Sequence, residues 1–151
     1  MSKKNKRVFQ QENVDGKKQI KCQEDPISYY KKSPLWSFKK LDNGYSKWGL
    51  VHAKNLNQDV IEKLSAYEKM IWDDIIKSSG GRSHGNNSHF ENVSDLISEA
   101  QKRWRDLKLD EYDRVFSLRL SGLHRLYGIV DNGVFYIVWY DQDHEIYPRK
   151  K

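Results

Sequence analysis

The sequence predicts an α+β domain in which an antiparallel sheet carries two helices on one face. Three observations lead there. Three runs of strand-forming residues close the chain, joined by Ser121-Gly122 and Asn132-Gly133. Two stretches of helical periodicity precede them, and a further pair of apolar runs flanks Asn43-Gly44. The expected element order is ββααβββ.

The first structured element reads as a hairpin. "LWSFKKLD" and "YSKWGLVH" lie on either side of Asn43-Gly44, a pair suited to a tight turn whose central residues take positive φ. Asn55 with Gln58 three residues on resembles a capping box. Ile61, Leu64, Tyr67, Ile71 and Ile75 then recur at helical spacing, predicting a helix to about Lys77. Residues 78–92, rich in Gly, Ser and Asn, lack periodicity and read as a long loop. Ser94 is the expected cap of a second helix with Leu96, Ile97, Ala100, Trp104 and Leu107 on its buried face. "RVFSLRL", "HRLYGIV" and "VFYIVWYD" follow as strands.

The net charge of +6 is concentrated at the ends. Residues 1–33 hold nine Lys/Arg against four acids and read as a basic tail, either a solubilising leader or a contact for nucleic acid or a partner. Residues 34–148 form the expected single domain and are slightly acidic, and 149–151 are all basic. Nucleic-acid binding by the domain would therefore need a local basic site. With one cysteine, Cys22, no internal disulfide framework is possible. No apolar run long enough for a membrane span and no secretory leader are present, so a cytoplasmic protein without a membrane partner is expected. His84 and His89 have no identifiable third ligand, and no phosphate-binding loop or nucleophile elbow is found. Neither a metal nor a cofactor is expected.

A two-residue turn at Asn132-Gly133 would pair residues whose numbers sum to 265. One face then holds Leu126, Gly128 and Val130 against Trp139, Ile137 and Phe135, all fit for a core. The other pairs Arg125 with Tyr140, Tyr127 with Val138 and Ile129 with Tyr136. An open face with Tyr127, Tyr136, Tyr140 and Arg125 suits base stacking and phosphate contact, although tyrosine is also an ordinary strand residue. His144 lies four residues past the partner of Arg125, roughly 13 Å along a straight strand, so both reach one phosphate only if the chain bends.

"LSGLHRLYGIVDNGVFYIVWYDQDHEIY" resembles the closing pattern of the RelE/ParE superfamily of bacterial toxins: an arginine on a middle strand, a short turn, an apolar strand, then a histidine near a tyrosine. The resemblance implies a toxin-like, metal-independent endoribonuclease cutting mRNA, possibly on the ribosome, and neutralised by an antitoxin protein. It implies His144 as general acid, Arg125 as phosphate clamp, Tyr147 as an orienting or stacking ring and Arg119 as a second cation. The rival reading is a non-catalytic nucleic-acid- or protein-binding module using the tyrosine-rich face, including ParE-like inhibition of gyrase. Asp141, Asp143 and Glu145 around His144 favour that rival. On it, His144 and Arg125 make ordinary surface or cross-strand pairs.

Overall fold

The computed structural model describes residues 27–77 and 88–148. His84 and most of the expected basic tail lie outside them. The last residues assigned to the tail are part of the fold. Helix α1 (Ile27–Tyr30) leads in, Tyr29 is buried, and the Lys32 carbonyl accepts the Trp72 amide N–H at 2.9 Å.

A five-stranded sheet forms in the order β1-β5-β4-β3-β2, with β1 at Leu35–Ser37, β2 at His89–Asn92, β3 at Arg114–Ser121, β4 at His124–Asp131 and β5 at Val134–Asp141. The last three strands fall where their β-branched and aromatic runs predict. Asn132 and Gly133 both take positive φ in the β4–β5 turn, as an Asn-Gly hairpin requires. The sheet is mixed, not wholly antiparallel, because β1 runs parallel to β5, with Trp36 opposite Phe135.

The expected first hairpin does not form, because each of its halves has a distant partner. Trp36 packs edge-on against Phe135 and Trp72. Beyond it the chain wraps along the outer edge of β5, with the Asp42 N–H donating to Val138 and the Trp48 carbonyl accepting from Tyr140. Asp42 fastens this wrap: its carboxylate accepts two hydrogen bonds from the Arg103 guanidinium, at 2.8 and 2.7 Å, and one from Trp139 Nε1 at 3.0 Å. Asp42 also accepts the Gly44 N–H, so Asn43-Gly44 turns within a side-chain-capped loop.

The first long helix begins as expected, with Asn55 Oδ1 accepting the Gln58 N–H at 3.1 Å. It runs from Asn57 through Ile61 as a wide turn and continues as α2 (Glu62–Tyr67). It then breaks before α3 (Trp72–Lys77). Val60, Leu64, Trp72 and Ile75 are buried, while Ile61, at the end of the wide turn, is exposed. Ser94 falls in a short 3-10 turn, and α4 (Ser98–Asp106) follows with Ala100 and Trp104 buried.

The helices do not share one face. Val60, Leu64, Trp72 and Ile75 cover Phe116, Leu118, Leu126, Phe135 and Ile137 on one side of the sheet. Leu96, Ala100 and Trp104 cover Val115, Tyr127, Ile129 and Trp139 on the other. The sheet is the middle of three layers, and the element order is α1-β1-α2-α3-β2-α4-β3-β4-β5. The closing strands carry large apolar residues on both sides, so both faces need cover, and one pair of helices on one side would leave the other wet. Among the described residues no helix is long and apolar enough to cross a membrane.

Candidate functional site

The register between β4 and β5 follows the expected pairing from Asp131–Val134 to Gly128–Ile137 and then slips. Val138 is an extra residue, so Tyr127 opposes Trp139, Leu126 opposes Tyr140 and Arg125 opposes Asp141. A second irregularity leaves Leu120 extra on β3, beyond the Arg119–Arg125 pair. Such bulges bend a strand and re-aim its side chains. Here they bracket the N-terminal half of β4. Gly128 sits beside the first: a Cβ there would lie 2.0 Å from the Tyr136 carbonyl oxygen and 2.8 Å from the Phe135 ring.

The slip sends Tyr140 to the opposite side of the sheet from Tyr127. Tyr140 joins the α2–α3 side, where its hydroxyl meets His124 Nδ1 at 2.7 Å. Tyr127 lies on the α4 side, and both rings are 1 % exposed. Tyr136 shares the α4 side and is half-buried, with Lys40 Nζ 5.8 Å from its ring centre. No open tyrosine face results. Burial pushes the Tyr140 hydroxyl up to about 12, with the charges of Asp59, Asp143 and Asp141 adding to it. It also raises Tyr127, further supported by Asp141 and opposed by the Ser117 hydrogen bond and Arg125.

On the α4 side, beyond the helix, a polar row crosses the sheet: Arg119 on β3, Arg125 on β4 and Asp141 on β5 stand opposite one another in register. Arg125 is 1 % exposed, and its Nη1 donates to the carbonyls of Gly122 and His124 at 2.7 and 2.9 Å, holding the β3–β4 turn. Arg119 is half-buried and is the more accessible of the two. Its carbonyl accepts from the Tyr67 hydroxyl, and its N–H donates to Ser88 Oγ at 3.0 Å, which fixes the backbone from both sides.

β5 stops at Asp141, and the chain bends there instead of continuing as a straight strand. The Asp141 carboxylate accepts the backbone N–H groups of Glu145 at 3.0 Å and Ile146 at 2.8 Å, drawing the chain back on itself. His144 sits in that bend at φ 59°, a left-handed conformation uncommon outside glycine and asparagine. Ile146 is buried beneath α4 and its carbonyl accepts the Ile97 N–H. The Asp141 carboxyl is raised by burial, against the two backbone hydrogen bonds and the charge of His144, with Glu145 adding to the rise.

Tyr147 then crosses toward β2, where the charge of Glu91 is the main cause of its raised pKa. His89 Nε2 meets the same carboxylate. Because Phe90 packs on Phe116 in the α2–α3 core, His89 and Glu91 point to the other side, with Ser117 and Arg119. The structure thus places Arg119, Arg125 and Tyr127 on one side of the sheet with Tyr147 packed on the same side, moves Tyr140 off it, leaves Tyr136 farther along it, and puts His144 in the bend after Asp141. Glu91 and Ser117 were not singled out from sequence; His89 was weighed there only as a metal ligand and Asp141 only as an acid beside His144. The alternation His-Phe-Glu-Asn around a single apolar residue was the one available signal for β2.

Behind the bend, on the outer edge of β5, a cleft of about 290 Å³ is lined by Lys47, Trp48, His52 and the acids Asp141, Asp143 and Glu145. The three acids make its charge unfavourable for an anion. Among the described residues no group of three or more His, Cys, Asp or Glu side chains is placed to hold a metal ion. Comparison of the chain with protein-family models, curated proteins and solved structures finds no match.

Proposed function

We propose that this protein is a toxin-like, metal-independent endoribonuclease that cuts mRNA, acts on the ribosome and is neutralised by an antitoxin protein. The observation that supports the reading is the register pairing of two arginines, Arg119 and Arg125, with Asp141 next in the row and capping the bend that holds His144. RNA cleavage of this kind uses the substrate's own 2′-hydroxyl as nucleophile, so the protein must move protons and stabilise charge on the phosphate. His144 protonates the leaving 5′-oxygen. Arg119 meets the phosphate first, and Arg125 behind it adds charge and keeps the turn in place. Tyr147 orients the incoming strand.

The test is RNA cutting in EDTA, with and without translating ribosomes, mapping new 5′ ends. Discrete cuts are expected, falling about 10²–10⁴-fold in His144→Ala, the usual contribution of a positioned proton donor. Arg119→Ala should lose cutting with the fold intact. Uncut RNA under every condition would sink the proposal.

The burial of Arg125 favours a second reading, a non-catalytic module that binds nucleic acid or protein through Arg119 and the surrounding edge. Under it, Arg119→Ala lowers affinity and no RNA is cut. Its ParE-like form requires inhibition of gyrase, and supercoiling that proceeds unchanged at high protein excess eliminates it.

A further inference from the structure

The charged side chains of α4 are paired, with one exception. Glu99 pairs with Lys47 at 2.9 Å, Lys102 with Asp106 at 3.0 Å and Arg103 with Asp42 at 2.7 Å. Arg105, exposed and one turn beyond Gln101 on the same helix face, has no ion-pair partner among the described residues. It lines a cleft of about 310 Å³ whose other walls are the 3-10 turn at Val93–Asp95 and the loop from α4 to β3. That loop brings Asp113, which is likewise exposed and without an ion-pair partner among the described residues. Hydrogen bonds fix these walls before any ligand arrives. Gln101 Nε2 donates to the carbonyls of Ser94 and Leu96 at 3.1 and 2.7 Å, which commits its donors and leaves Oε1 to accept. Trp104 Nε1 donates to the Tyr112 carbonyl at 3.2 Å, and the Val93 N–H to the Asp113 carbonyl at 2.8 Å.

Opposite charges that line one cleft without pairing with each other suit a neutral ligand that engages both. A simple anion would meet Asp110 and Asp113, and a simple cation would meet Arg105. Each group favours two parallel hydrogen bonds: a guanidinium donates as a fork, and an ionised carboxylate accepts with both oxygens. Among the nucleobases guanine carries both complements, the acceptors O6 and N7 on one edge and the donors N1–H and the N2 amino group on another. The volume is at the small end of ligand clefts and suits a base with its phosphate left outside, away from the two acids. We propose that this cleft is a guanine-binding site, in which Arg105 holds O6 and N7, and Asp113 accepts from N1–H and the N2 amino group. The site does not rest on the ribonuclease reading. A free nucleotide and a single strand of RNA present the same base edges to it.

The experiment titrates the full chain with guanosine monophosphate and follows the Trp104 indole N–H and the Gln101 side-chain amide by nitrogen–proton NMR. A saturable shift of both is expected. Inosine monophosphate, which lacks the N2 amino group, and the 7-deaza analogue, which lacks N7, should each bind at least about 10-fold more weakly, the effect of losing one hydrogen bond to a charged group. Arg105→Ala should no longer separate guanosine monophosphate from its 7-deaza analogue, and Asp113→Ala should no longer separate it from inosine monophosphate. Both side chains are exposed, so urea midpoints should stay at the wild-type value and distinguish a lost contact from a lost fold. A uridine-rich RNA with one guanosine, set against the same strand with adenosine there, identifies the source. Guanosine-dependent binding tighter than that of the mononucleotide upholds the site as one for RNA, and binding of the mononucleotide alone upholds it as one for a free nucleotide. No saturable shift with either probe, equal affinity for the monophosphates of guanosine, adenosine, cytidine and uridine, or guanosine monophosphate affinity unchanged in Arg105→Ala overturns the proposal.

Discussion

Replacing Asp42 with alanine should be among the most damaging single changes in the domain. Its side chain is 1 % exposed and accepts from Arg103 twice, from Trp139 Nε1 and from the Gly44 N–H. The variant leaves the Trp139 indole N–H buried without an acceptor, which costs about 1–3 kcal/mol. Loss of a partner from a fully buried ion pair costs about 3–5 kcal/mol, but Arg103 is one-fifth exposed and turns partly to water, so its share is smaller. Together these give about 3–4 kcal/mol, a large part of the roughly 5–15 kcal/mol that holds an ordinary domain folded. Urea unfolding followed by tryptophan fluorescence measures it, as a lower midpoint at unchanged slope. A loss below about 1 kcal/mol, the range of an ordinary surface substitution, would refute the reasoning. The same group predicts a pH dependence. Burial pushes the Asp42 carboxyl up, but hydrogen bonds from Arg103, Trp139 and Gly44 and the charge of Arg103 outweigh it, and the net shift is downward. An acid with a lowered folded pKa contributes stability above its unfolded value, about 3.9, and loses it as the pH falls through the folded value. Wild type should therefore show an acid-labile component below about pH 4 that Asp42→Asn lacks.

Other changes test the site and its scaffold. Gly128→Ala forces a methyl against a backbone oxygen and should cost about 3 kcal/mol, the upper end for overpacking; a neutral effect by urea midpoint would contradict the bulge geometry. Asp141→Asn offers one acceptor where two N–H groups now bind, so hydrogen exchange at Glu145 and Ile146 should accelerate and cutting should fall with His144 misplaced. Because the Asp141 carboxyl is raised, its contribution to stability is greatest at low pH and falls as the pH rises from the ordinary aspartate range through the folded value; the Asn variant should lose that dependence. Trp72→Phe removes the bond from Nε1 to the Gly133 carbonyl, 2.8 Å long, and should cost about 1 kcal/mol, read from the thermal midpoint.

What the sequence made legible was local. The three closing strands carry their own turn residues and β-forming runs, and Asn55 with Gln58 marks a helix start by contacts three residues apart. Trp36, Asp42 and Trp48 misled because their partners, Phe135, Arg103 and Tyr140, are far along the chain, and a Gly-containing turn between apolar runs looks the same whether the runs meet or not. The bulge at Val138 has no composition of its own, yet one extra residue exchanged the sides of Tyr140 and Trp139 and dissolved the expected tyrosine face. Arg119, Arg125, His144 and Tyr147 were singled out from their pattern. Strand β2, with His89 and Glu91 on it, was missed because it is four residues long with one apolar residue, too short for a period to emerge.

The parallel pairing of β1 with β5 bears on the order in which this protein is made. Leu35 leaves the ribosome early but finds its partner only when Val134 has followed, and the bend that carries His144 is later still. Contacts so distant in sequence form slowly and wait for the whole chain. The earliest strand of the sheet is thus completed by its last, so a product terminated before Val134 would lack the partner of its outer strand and could not close the sheet.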